Sequence, residues 1–151
     1  MQRLPYLLAF IAGVTTALQV GVNSRAREWL RLEHPLQGAL VNFGGGTIVL
    51  LAIWTVARFP WPSLTVVGQA PWWIWTGGLL GILYVSASVY LGPKLGVTLF
   101  LTIVVAGQVI GALAVDHFGL LGMPFRSITP GRVAGVMMVL AGMVVVYFST
   151  E

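Results

Sequence analysis

Hydrophobic positions in this chain run in long continuous blocks. They follow neither the alternation of a half-buried strand nor the single stripe of a soluble amphipathic helix. A helix needs about 20 mostly apolar residues to cross a hydrocarbon core about 30 Å thick. Five blocks qualify: Leu4 to Val22, Leu36 to Ala57, Trp72 to Leu91, Gly96 to Val115, and Arg132 to Phe148. Strands of a membrane barrel alternate apolar and polar residues over about ten positions, which these blocks do not. The expected fold is therefore all-α and integral to the membrane, with five transmembrane helices per chain and one domain over residues 1–151. The first block is longer than the apolar core of about 7–15 residues in a signal peptide and lacks a clear cleavage site, so it reads as a retained helix.

The segments between the blocks differ in kind. NSRAREWLRLEHP (23–35) is charged, places Glu28 and Arg31 at i,i+3, and is expected to carry the first helix on into water. RFPWPSLTVVGQAP (58–71) and DHFGLLGMPFRSITP (116–130) are apolar but broken by Pro and Gly, and should lie along the interface. GPKL (92–95) reads as a tight turn that makes the third and fourth helices antiparallel neighbours.

Composition strengthens this picture. Of 151 residues 58% are hydrophobic and 8% charged, with a mean hydropathy of +0.92. Soluble domains carry about 25% charged residues, and a chain this short cannot bury so much apolar surface in a water-soluble core. The net charge of +4 is spread over the connecting segments, where basic residues flank a bilayer, so no nucleic acid is expected as a partner. The absence of cysteine excludes disulfides, thiolate chemistry and Cys-ligated metals.

Counting crossings places Arg3, Arg58, Arg126 and Arg132 on one side, and Arg25, Arg27, Arg31 and Lys94 on the other. Orientation normally follows an excess of Lys and Arg in the cytoplasmic loops. A four-to-four tie selects neither orientation. It favours dual topology, in which copies insert both ways and pair antiparallel, rebuilding the inverted-repeat plan of many transporters.

Polar side chains inside the blocks are few. Gln108 falls near the middle of the fourth helix; its amide suits either a hydrogen bond between helices or the wall of a substrate cavity. Gln19 and Asn23 share one face of the first helix, Asn42 starts the second, and Ser86, Ser88, Tyr84 and Tyr90 lie on the third. Trp54 is a further candidate for a cavity wall, whereas Trp72, Trp73 and Trp75 read as an interfacial belt. Substrate-binding residues are thus expected among Gln108, Gln19, Asn42, Trp54 and Tyr84. Asp116 and His117 close the fourth helix. They read first as an interfacial pair, with Asp116 reaching water or a loop arginine such as Arg126, and second as a gate or proton site. Gly77 and Gly81, Gly107 and Gly111, and Gly131 and Gly135 are spaced for close helix packing. His34 and His117 fall on opposite sides and no metal-ligand spacing occurs, so neither a metal nor another cofactor is expected.

Four stretches together resemble the YdcZ-like branch of the bacterial drug/metabolite transporter superfamily: AGVTTALQVGVNSR (12–25), GGLLGILYVSASVYLGPKLG (77–96), AGQVIGALAVDHFGLLG (106–122) and GRVAGVMMVLAGMVVV (131–146). The resemblance implies a multi-pass protein of the bacterial inner membrane. It also implies a ten-helix antiparallel homodimer, or a pairing with a close paralogue, that moves a small molecule. The related small multidrug-resistance proteins carry an essential acidic residue in the first helix. This chain has none there, so their proton-for-cation exchange does not transfer to it. With no nucleophile–base pair or phosphate-cradling loop, an enzyme is not expected. The leading expectation is a small-molecule transporter working by alternating access, whose substrate is neutral, zwitterionic or cationic. The alternative is a non-transporting scaffold or accessory subunit of a larger membrane complex.

Overall fold

The structure is a computed structural model that describes residues 3–150. Six α-helices follow one another: α1 (Leu4–Trp29), α2 (Pro35–Ala57), a short α3 (Leu64–Gln69), α4 (Thr76–Leu95), α5 (Val97–Phe118) and α6 (Pro130–Phe148). Five helices are long and apolar enough to cross a membrane, α4 being extended at its start by a 3₁₀ turn over Trp72–Trp75. Their side chains agree with a lipid surround: Ile48, Val56 and Met138 are 70%, 85% and 70% exposed on the single chain. In water such surface would be strongly unfavourable; in lipid it is solvated.

α1 runs on past its apolar block into the charged segment, as expected. Its 26 residues rise about 39 Å, more than the hydrocarbon core is thick. The surplus is the charged end, where Arg25 Nη1 donates to Glu28 Oε2 at 2.7 Å. The expected Glu28–Arg31 pairing does not form, because Arg31 lies beyond the helix with φ at 51°. Arg27 closes the end instead, donating to the carbonyls of Leu32 and Glu33, both at 3.2 Å. His34 then caps α2. Its Nδ1 accepts from Leu36 N–H at 3.2 Å, while Gln37 Oε1 accepts from His34 N–H at 2.9 Å. Two otherwise unpaired donors are satisfied reciprocally, and Pro35 fits the first turn, where no N–H is needed.

The GPKL turn is a correction. Gly92, Pro93, Lys94 and Leu95 complete α4, and the chain breaks one residue later at Gly96, whose φ of 79° and ψ of 149° suit glycine alone. Pro93 lies in the last turn, where its missing N–H costs one bond, that to the Val89 carbonyl, close to the end of the helix. α5 likewise runs past its expected end to Phe118 and stops at Gly119 in the left-handed conformation, with φ 58° and ψ 34°. Asp116 and His117 are thus the last turn of a helix. α6 begins two residues early, at Pro130, under a Thr129 hydroxyl that accepts from Arg132 N–H at 3.3 Å.

The chain divides into two compact units, residues 1–94 and 95–151. In the first unit α1 packs on α2, and glycines set the closest approaches. A Cβ built on Gly38 would lie 3.2 Å from Val89 Cγ1, one on Gly81 would lie 2.8 Å from Phe43 Cζ, and one on Gly92 would lie 2.7 Å from Val20 Cγ1. Position 38 facing 89 and position 43 facing 81 makes α2 and α4 antiparallel. Ala39, Val85 and Val89 form the core there, with Tyr84 against it. In the second unit α5 packs on α6. Leu99, Phe100 and Ala106 of α5 are buried, whereas α6 has no fully buried residue.

Candidate functional site

Gln108 stands eleven residues into the 22-residue α5, at mid-length. It is exposed on the single chain, and its amide has no hydrogen-bond partner among the described residues. Gly107 and Gly111 beside it are open too, since a Cβ on either would meet nothing within 4 Å. An amide left bare in hydrocarbon is costly. Position and chemistry therefore call for a partner outside the residues that surround Gln108 here.

The other expected residues lie in the first unit. Asn42 on α2 and Tyr84 on α4 are half-buried, and the antiparallel register puts them at one level. Gln19 is exposed on α1. Asn23, one turn further, is 6% exposed, with its Nδ2 enclosed and unpartnered. Trp54 is twelve residues beyond Asn42, about 18 Å along α2. Its ring joins Trp61 at 5.2 Å and Phe59 at 5.6 Å, so it belongs to an aromatic cluster at the end of α2 and not to the Asn42–Tyr84 layer.

At the end of α5, Asp116 Oδ2 accepts from Arg132 Nη2 at 2.7 Å. Arg126, the expected partner, contributes its backbone instead: its N–H donates to the Asp116 carbonyl at 2.8 Å. The side-chain partner is Arg132 because the early start of α6 carries it one turn inside the helix. The same guanidinium donates through Nη1 to the carbonyls of Arg126 at 3.2 Å and Ser127 at 3.5 Å. His117 Nδ1 accepts from Ile128 N–H at 3.4 Å, and its ring lies against Phe118 and Phe125. One arginine therefore ties α5, the following loop and α6 together.

Above this pair α5 and α6 enclose a groove of about 300 Å³, lined by Val109, Ala112, Leu113 and Asp116 and by Arg132, Gly135, Val136 and Val139. Each set follows the i, i+3, i+4, i+7 spacing of one helix face. Gln108 is not in it; at 100° per residue it points about 90° round α5 from the middle of that face. Sequence reading had chosen neither Arg132 nor the groove, although the two matching stripes carry the signal. The packing glycines were also chosen differently. Gly81 does meet a neighbour, but Gly77, Gly107, Gly111, Gly131 and Gly135 meet none within the chain, while Gly38 and Gly92 do. Among the described residues no group of His, Asp and Glu could hold a metal ion.

Comparison with known proteins places these features in a family. Residues 4–145 match the family described as "Putative inner membrane exporter, YdcZ". The inner membrane protein YdcZ of Escherichia coli (strain K12) is 32% identical over 77 residues, a match covering 51% of each chain. The chain thus spans about half the length of that curated relative in the alignment. No solved structure matches. The family is described as an exporter and not as an enzyme. Five apolar spans and this kinship make the protein a multi-pass protein of the inner membrane. By the match over residues 4–145, the chain belongs to the YdcZ family of inner-membrane proteins.

Proposed function

We propose that the protein exports a small solute by alternating access, as an antiparallel pair of copies that together contribute ten helices. The observation that carries this reading is Gln108: an exposed, unpartnered amide at mid-helix between two open glycines. A second copy packed along that face would supply both a partner for the backbone and a second amide, and would bring two such residues to one mid-membrane level. The balance of basic residues supports the antiparallel arrangement. With the observed helix ends, Arg3, Arg58, Arg126 and Arg132 still flank alternate helix ends from Arg25, Arg27, Arg31 and Lys94. Inverted pairs of this kind offer equivalent outward and inward states, which is what alternating access requires. Within the first unit, Asn42 and Tyr84, at one level on α2 and α4, are the residues best suited to contact a solute.

The sequence contains no cysteine, so single cysteines introduce a unique label. Gln108→Cys is expected to react with a water-soluble maleimide, and single cysteines at positions 33, 65 and 123, between the membrane spans, to be labelled from both sides of intact cells. Labelling of each loop from one side only would refute the antiparallel pair. A position 108 inert to the reagent in folded protein would refute the cavity and leave the amide as packing between helices, the scaffold reading.

A further inference from the structure

The groove between α5 and α6 is separate from the Gln108 face and has chemistry of its own. Its walls are apolar, and its only charged groups are Asp116 and Arg132 at one end. We propose that it binds a small zwitterion whose cationic and anionic groups sit together on an apolar body, as in a free α-amino acid with an aliphatic or aromatic side chain. The site lies within one copy, so the inference does not depend on the paired-transporter reading.

Three features support this choice. The pair is half-exposed, 33% for each side chain, so its charges are accessible from the groove. The guanidinium is also held from behind by the carbonyls of Arg126 and Ser127, so it keeps its place when Asp116 lets go. A ligand carboxylate can then take Nη2 while the ligand ammonium takes Asp116. A ligand with one charge could replace only one partner and would leave the other, part-buried charge without its partner, which costs binding energy. The pair thus selects for both charges at once.

Size favours a small solute over the other common zwitterion of a membrane, a phospholipid. From Val109 to Asp116 the groove runs seven residues, about 10 Å. A phospholipid chain fills one leaflet of the core, about 15 Å, and would overrun it. The volume of about 300 Å³ lies at the small end of ligand pockets, roughly 300–1,000 Å³. Gly135 provides the width, because it has no side chain and a Cβ there would meet nothing within 4 Å.

The test uses the full chain in nanodiscs of phosphatidylglycerol, titrated calorimetrically with L-leucine, L-leucinol and 4-methylpentanoate. L-Leucine is expected to bind, and each singly charged analogue to bind at least about tenfold more weakly. Gly135→Leu, which fills the groove into open space, should weaken leucine binding by about tenfold or more with helix content and unfolding temperature retained. Asp116→Asn should do the same through loss of the ammonium partner. Three results would overturn the proposal: leucinol or 4-methylpentanoate binding as well as leucine, undiminished binding by Gly135→Leu, or no leucine binding at millimolar concentration. A fourth would be displacement of leucine by phosphatidylethanolamine added to the nanodisc, which would assign the groove to lipid.

Discussion

Adding one methyl group at two glycines separates the contacts made inside the chain from those left for a partner. In Gly92→Ala the new Cβ falls 2.7 Å from Val20 Cγ1 and 3.5 Å from Ser24 Oγ. Carbon atoms in good contact sit about 3.5–4.0 Å apart, so the overlap with Val20 is about 1 Å. Val20 cannot turn aside. It is 1% exposed, and a β-branched side chain in a helix has essentially one rotamer. The relief has to come from moving α1, and overpacking of this kind costs about 1–3 kcal/mol. Alanine returns about 0.5–1 kcal/mol as the better helix former. The net expectation is a destabilisation of up to about 2.5 kcal/mol.

Gly111→Ala makes the same chemical change where nothing lies within 4 Å. Stability of the chain should hold or rise by up to about 1 kcal/mol, while the fraction of cross-linked dimer should fall if a second copy packs there. Unfolding in mixed micelles, followed by tryptophan fluorescence, measures the first quantity, and cross-linking in membranes the second. Adding Val20→Ala to Gly92→Ala should recover part of the loss, a coupling that two independent sites would not show. A Gly92→Ala protein as stable as the parent would refute the contact between α1 and α4. A Gly111→Ala protein with unchanged dimer would remove this face from the interface.

Other substitutions test the joints. Gly96→Ala should cost about 1–3 kcal/mol, because φ 79° with ψ 149° is closed to side-chain-bearing residues; Gly119→Asn, at φ 58° and ψ 34°, should fold normally, since Asn tolerates that conformation. The same unfolding assay reads both, and equal losses would contradict the backbone argument. Arg132→Lys keeps a positive charge opposite Asp116 but gives up the fork that also reaches Arg126 and Ser127. Hydrogen exchange at the Arg126 amide should quicken by about tenfold, equivalent to about 1.4 kcal/mol. Unchanged exchange would mean that charge alone holds the loop.

The parts of this fold legible in the sequence are those that one residue run decides by itself. Five blocks of apolar residues became five helices, because a run that long has no other way to satisfy its backbone in lipid. The errors arose where a neighbour decides. Gly92–Pro93 reads as a turn from local chemistry, yet Gly92 is helical and its bare surface receives Val20. Spacing marks the Gly107–Gly111 face as a packing face, and within the single chain no atom lies within 4 Å of a Cβ built on either glycine. Asp116 was assigned a loop arginine by proximity in sequence, whereas the start of α6 selected Arg132. Depth along the block makes Trp54 a cavity candidate; what the block cannot show is that Phe59 and Trp61 of the next segment lie against its ring.

What remains open in the second unit bears on how the protein works. None of the glycines of α5 and α6, Gly107, Gly111, Gly131, Gly135 and Gly142, meets an atom that its missing Cβ would have touched. Glycine inside a helix is less favourable than alanine by about 0.5–1 kcal/mol, and apart from Gly135, which widens the groove, these glycines carry that cost with no contact inside the chain in return. Within the second unit α5 packs on α6, and the Asp116–Arg132 pair with the loop it fastens closes one end of that contact. The glycine faces left bare by this packing can admit another helix. Gln108 lies beside two of those glycines, at mid-helix. The residue that needs a partner therefore sits where a partner could come closest, and this coincidence ties the export reading to the packing of the helix that bears it.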